Sequence, residues 1–200
     1  MKPTIRANGL ASICLLFAAC GVGGHPVHYY TLNYPAAPAS TVKADGAVLL
    51  VGRIVAPEAL EDGRIRFRSG SNEIGAYEYH RWTERPPMMV RELLIQKLRA
   101  SGKYRQVQES TSSAVGDYLI RGKLFDFSEI DDPGMTTRVS LQLELLDRKT
   151  SLVLWDRHYK RDEPVNGHAM KDVVSSLDHN LQQVITDSAS DIESFLSNRK

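Results

Sequence analysis

The stretch "TTRVSLQLELLD", Thr136 to Asp147, alternates cleanly through its middle: Val139, Leu141, Leu143 and Leu145 are apolar, while Arg138, Ser140, Gln142 and Glu144 between them are polar. Successive side chains of an extended strand point to opposite faces, so this period of two predicts a strand with one face in a core and the other toward water. Its neighbours in sequence extend the pattern. "GDYLIRGKLFDFSEI" (Gly116 to Ile130) reads as a strand that Asp131-Asp132-Pro133-Gly134 breaks, and "RKTS" turns the chain into "LVLWDRHYKR" (Leu152 to Arg161). Further on, apolar residues at 170, 173, 174, 177, 181, 184, 185, 192, 195 and 196, with Ser188 and Ala189 between, form one stripe of a long amphipathic helix. Such a stripe needs a covering surface, and the sheet of the same domain supplies it.

Upstream, "HYYTL" (His28 to Leu32) is aromatic and β-branched enough for a first strand, which "PAAPAS" (Pro35 to Ser40) ends. "AVLLVGRIVAP" (Ala47 to Pro57) has apolar residues at both alternations, so both its faces are expected to be covered, and Gly52 inside it marks a bulge or a close approach. "GRIRFRSGSNEIGAYEY" (Gly63 to Tyr79) reads as a hairpin turning at Ser69-Gly70-Ser71-Asn72. "TERPPMMVRELLIQKLRASGKY" follows as a helix: Pro86-Pro87 suit its first turn, Val90, Leu93, Leu94 and Leu98 make its stripe, and Gly102 stops it. "YRQVQ" is a short strand. The predicted order is β-β-β-β-α-β-β-β-β-α: an α+β two-layer sandwich, with two helices packed on a mostly antiparallel sheet.

The first residues read differently. Lys2 and Arg6 give a positive start, Leu10 to Ala19 an apolar run, and Ala18-Ala19 place small residues before Cys20. That is the layout of a secretory signal peptide, and the run is about half the ~20 residues a membrane-spanning helix needs. "FAAC" resembles the bacterial lipobox, with Phe17 where Leu is usual, so Cys20 is expected to carry a covalent N-terminal lipid. Once the leader is cleaved, Cys14 is gone and no second cysteine remains for a disulfide or a zinc cluster. Gly21 lacks the Asp that retains lipoproteins in the inner membrane, which favours the outer membrane of a Gram-negative envelope. The expected division is residues 1–19 as leader, 20–27 as lipidated N-terminus and tether, and 28–200 as a single domain.

The chain carries 25 Lys and Arg against 24 Asp and Glu, a balance that offers no electrostatic case for nucleic acid. Chemistry-bearing motifs are sparse. The six histidines, at 25, 28, 80, 158, 168 and 179, form no His-Glu-x-x-His, and His168 and His179 are expected on the last helix too far apart to share a metal. No Gly-x-Ser-x-Gly or phosphate-cradling glycine loop occurs, and "STVK" (Ser40 to Lys43) lacks the Ser-Asp-Asn and Lys-Thr-Gly partners of penicillin-binding enzymes. Glu61-Asp62, Asp131-Asp132 and Asp162-Glu163 read as solvated turn formers. No catalytic residue, metal ligand or cofactor is expected beyond the lipid on Cys20.

Two segments are candidates for contact with a partner. Phe125 and Phe127 fall on one alternation with Arg121 and Lys123, which makes either an exposed patch or a face covered by the following loop or a helix end. "YEYHRW" (Tyr77 to Trp82) brings Arg81 and Trp82 together, as interface hot spots do, while Trp82 reads equally well as a plug under the first helix.

"HYYTL", "VGRIVAP", "RIRFRSGSNEIGAYEYHRW" running into "ERPPMMVRELLIQKL", then "GDYLIRGKLFDFSE" and "LELLDRKTSLVLWDRHY", taken in this order and spacing, resemble the ABC-type transport auxiliary lipoproteins, the PqiC-like family. The resemblance implies a non-enzymatic outer-membrane lipoprotein docking an assembly of a mammalian-cell-entry (MCE) domain protein with an ABC transporter permease and ATPase, which moves lipid between membranes. It leaves homo-oligomerisation open. The residues alone also admit a periplasmic lipid carrier, or an activator of envelope-building enzymes.

Overall fold

The computed structural model describes residues 24–34, 46–70, 72–111, 113–131 and 134–199. The expected leader, Cys20 and the first part of the tether lie outside them. The element order is the expected one: β1 (His28–Tyr30), β2 (Val48–Val55), a 3-10 turn (Glu58–Leu60), β3 (Arg64–Ser69), β4 (Glu73–Trp82), α1 (Pro86–Ala100), β5 (Gln106–Glu109), β6 (Tyr118–Ile130), β7 (Thr136–Asp147), β8 (Val153–Pro164) and α2 (Met170–Ser197).

β6 organises the sheet. One of its edges pairs antiparallel with β7 along its whole length, and β7 pairs antiparallel with β8. The other edge is shared: the first half of β6 pairs parallel with β2, which pairs parallel with β5, and residues 128–130 pair parallel with β3. β3 and β4 form the expected antiparallel hairpin, and β1 adds parallel to β4. The long ladders are antiparallel, as expected; the four parallel pairings are short. β5 and β6 flank β2 and both run parallel to it, so the chain between them must cross over it. That crossing covers the second face of β2: a Cβ on Gly116 would lie 2.6 Å from Leu50 Cγ, and Leu50 is fully buried.

Both helices lie on one face. Val139, Leu141, Leu143 and Leu145 are fully buried beneath them, as their alternation requires. α1 begins with two prolines, whose missing N–H groups leave nothing unpaired in a first turn. It stops before Gly102, at φ +66°. α2 lays Val173, Leu177, Leu181, Val184, Ile185 and Ile192 on β7, β8 and α1. Each such side chain contributes roughly 1.5–3 kcal/mol on burial. Ser176 and Asn180 sit in the same stripe and fasten it: Asn180 Nδ2 donates to the Thr137 and Arg161 carbonyls at 3.0 and 3.1 Å, and the Ser176 and Thr137 hydroxyls are 2.9 Å apart. His168 precedes α2 rather than lying on it, because the helix begins at Met170. Asp162 and Glu163 belong to β8, not to a turn: pairing with β7 continues to Pro164.

Candidate functional site

Three irregularities decide which side chains reach the surface. In β2, Val51 pairs with Ile120 and Ile54 with Gly122, so the strand carries one extra residue at Gly52-Arg53, as the glycine suggested. In β4, Arg81 pairs with Arg64 but Ala76 with Arg66, so the register shifts between Tyr77 and His80, and β1 pairs with His80 to Trp82 just beyond. In β6, Leu124 pairs with Leu141 but Asp126 with Ser140, which leaves Phe125 as the extra residue.

This last bulge reverses the parity of β6. Ile120 and Leu124 face the helices before it, and Phe127 faces them after it. Phe125 and Phe127 therefore do not share a face, contrary to their spacing. Phe127 is 1% exposed with its ring 5.3 Å from that of Trp82, itself 3% exposed; both are interior residues of the domain. Phe125 is 37% exposed on the outer face, with Lys123 Nζ 4.8 Å above its ring and the His158 ring 5.4 Å away. Arg81 is half-buried, and its Nε is buried without a hydrogen-bond partner. The structure thus brings Trp82 and Phe127 together, separates Phe125 from them, and leaves Cys20 outside the described residues. The change of apolar spacing in "KLFDF", from Leu124 to Phe127, is the sequence signal for the bulge.

The helix-free face of the sheet is a field of cross-strand polar pairs. Arg68 Nε donates to Asp126 Oδ2 at 2.8 Å, and the Ser128 hydroxyl donates to Asp126 Oδ1. Arg138 makes a two-pronged pair with Asp162, both bonds 2.7 Å. Ser140 and His158 lie 2.8 Å apart, Gln142 donates to Asp156 at 2.8 Å, and Arg121 to Glu144 at 2.6 Å. Hydrogen bonding from Arg138, outweighing burial, holds the Asp162 carboxyl below its usual range. Burial pushes Asp62 up, yet the Arg64 N–H and guanidinium together with Arg66 outweigh it and hold that carboxyl low. The exposed pairs among these contribute ~0–1 kcal/mol each and order the surface more than they stabilise the fold, whereas Asp126 and Ser128 are buried.

On the helix side, the Tyr77 hydroxyl donates to Glu129 at 2.8 Å, and Tyr30 and His80 are joined at 2.9 Å. Burial lowers the His80 pKa, and the neighbouring His28 adds to the effect. Ser140–His158 is the closest approach to a nucleophile–base pair. Among the described residues no carboxylate hydrogen-bonds to His158 to orient its ring, as a triad requires. Nor do they include a group of three side chains placed to hold a metal.

The family of ABC-type transport auxiliary lipoprotein components matches residues 30–189, from β1 to the last turns of α2. The chain belongs to this family. It is one of auxiliary transport lipoproteins, not a family of enzymes. Among solved structures, protein XCC0632 from Xanthomonas campestris is similar at a TM-score of 0.78 with 18% identity, over 86% of this chain and 98% of that one. An uncharacterized protein follows at a TM-score of 0.66 with 15% identity, over 84% and 99%. The protein CT253 from Chlamydia trachomatis follows at 0.52 with 7% identity, over 75% and 97%. At such identities the likeness is one of fold. No curated protein matches the chain. Among the described residues, no helix is long and apolar enough to cross a membrane.

Proposed function

We propose that the chain is a lipid-anchored docking component of an ABC/MCE-type system that moves lipid between membranes, held by Cys20 in the periplasmic leaflet of the outer membrane. The observation that carries this reading is the family match over residues 30–189, beginning ten residues after a lipobox-like cysteine. Acyl chains on Cys20 would bury CH2 groups at ~0.8 kcal/mol each, and more than one chain makes such anchoring stable. Gly21, in place of the Asp that retains lipoproteins in the inner membrane, favours the outer membrane as destination. The domain's part in transport is to hold partners: its outer face is built of paired polar groups, and its interior is occupied by side chains.

Docking is favoured over carriage of lipid in an internal pocket by the cavities that the described residues line. Four of them measure about 230 to 400 Å3, and charged side chains stand at each. Two measurements test the proposal. A Cys20→Ala chain is expected to leave the membrane fraction; one that stays there overturns the anchor. Crosslinked membranes are expected to yield MCE and ABC subunits with the purified chain, and recovery without them overturns the docking role.

A further inference from the structure

The two ends of the sheet are unlike. β1 runs parallel to β4, β4 antiparallel to β3, and β3 parallel to β6, so the chain enters the sheet from the side of the β6 C-terminus. The opposite, distal end gathers the starts of β2 and β6, the β7–β8 turn and the C-termini of both helices. Three exposed apolar side chains stand there: Val115 at 84%, Leu152 at 62% and Val153 at 47%. The Arg148 N–H donates to the Asp117 carbonyl at 3.0 Å, which ties the β7–β8 turn to the segment carrying Val115. These apolar groups are set among polar ones at the same end of the sheet.

The charges at this end are unequally engaged. Asp117 accepts the Val48 N–H, Asp147 accepts the N–H groups of Lys149 and Thr150, and Glu193 pairs with Lys103 at 2.6 Å. Arg105, Arg148 and Lys149 are exposed, and they make no ion pair among the described residues. A cavity of about 300 Å3 opens at the same end, walled by Ala47, Tyr104, Tyr118 and Leu196 and flanked by the charged Lys103, Glu193 and Arg199. Tyr104 is 8% exposed, and its hydroxyl has no hydrogen-bond partner, a rare state for a buried polar group.

We propose that the distal end is the docking surface for a protein partner that presents an acidic segment with an apolar anchor residue. The acidic groups meet Arg105, Arg148 and Lys149; the anchor enters the cavity, where a carbonyl of the segment accepts from Tyr104. Complementary charge of this kind speeds encounter and selects the partner. The assignment rests on the anchoring reading above for its direction: the tether holds the other end near the bilayer, and the distal end projects away from it.

The test uses the full chain in the cells that make it. A photoreactive benzoylphenylalanine is placed at Val115 or Leu152, and at Tyr29 or Ile74 as tether-side controls. Adducts are expected from Val115 and Leu152, to a peptide richer in Asp and Glu than in Lys and Arg around an apolar residue. The double variant R148E/K149E should cut their yield about fivefold or more. Tyr104→Phe should also lower the yield while leaving the chain at least as stable. Adducts from the tether side alone, a basic or uncharged peptide, or a yield indifferent to charge reversal overturns the proposal. Palmitate labelling and membrane fractionation of the same cells read the anchor separately, so failure of the anchor is distinguishable from a misassigned docking end.

Discussion

Replacing Phe127 with alanine removes a ring that is 1% exposed and lies 5.3 Å from Trp82, within the hydrophobic core of the domain. The cost has two parts: roughly 1.5–3 kcal/mol of lost burial, and the cavity left where strands on both sides limit collapse. Together these reach ~3–5 kcal/mol for a core phenylalanine. In a domain of this size 1 kcal/mol moves the melting midpoint by about 2–4 °C, so a fall of about 6–20 °C is expected. Phe125→Ala, two positions away, removes a ring 37% exposed whose neighbours are Lys123 and His158. Partial burial of the ring, about 1–2 kcal/mol, and a cation–π contact of about 0.5–1 kcal/mol set an expected fall of about 3–12 °C, smaller than at Phe127. Thermal unfolding followed by far-UV circular dichroism measures both. Equal losses, or the larger loss at Phe125, would show that the parity of β6 does not reverse at the bulge.

Two further perturbations probe the interior. A Cβ on Gly122 would lie 2.5 Å from the Gln142 carbonyl oxygen and 2.6 Å from Leu143 Cδ2, so Gly122→Ala is expected to cost ~1–3 kcal/mol, read as a shifted denaturation midpoint. An unchanged midpoint would mean that β6 and β7 are less closely apposed. Glu129 is 2% exposed, and burial raises its pKa despite the opposing hydrogen bond from Tyr77. A carboxyl whose folded pKa lies above its unfolded one binds more protons when folded, so its ionisation weakens the fold as pH rises through the unfolded value toward neutrality. Glu129→Gln keeps an acceptor for Tyr77, so it should raise the melting temperature at pH 7 and lose that advantage near pH 4. A gain that persists at pH 4 would refute this cause.

The strands and helices were legible because periodicity is local. Val139 to Leu145 alternate, "VVSSLDHNLQQVI" holds its stripe, and proline and glycine punctuate both, so element order follows from the sequence neighbours of each residue. Partner strands were less legible. Nothing in "VLLVGRIV" or "QVQE" states that β5 adds beyond β2, or that β6 splits its second edge between β2 and β3. Those pairings depend on residues up to about 70 positions apart. Asn180 and Ser176 were missed within the α2 stripe for a related reason: a polar side chain enters a core only where distant carbonyls await it, here those of Thr137 and Arg161.

By itself, then, the sequence determined the α+β class, the order of elements, the alternating face of β7 and the family, since each rests on short-range pattern or on the order of motifs. Tertiary structure alone decided which aromatic rings are surface and which are core. One extra residue at Phe125 reverses every side chain after it, and a strand accepts that residue only when its neighbour's register demands it. The exposed ends of the sheet were decided in the same way: the segments carrying Val115 and Leu152 come to the same end because β6 begins where β7 ends.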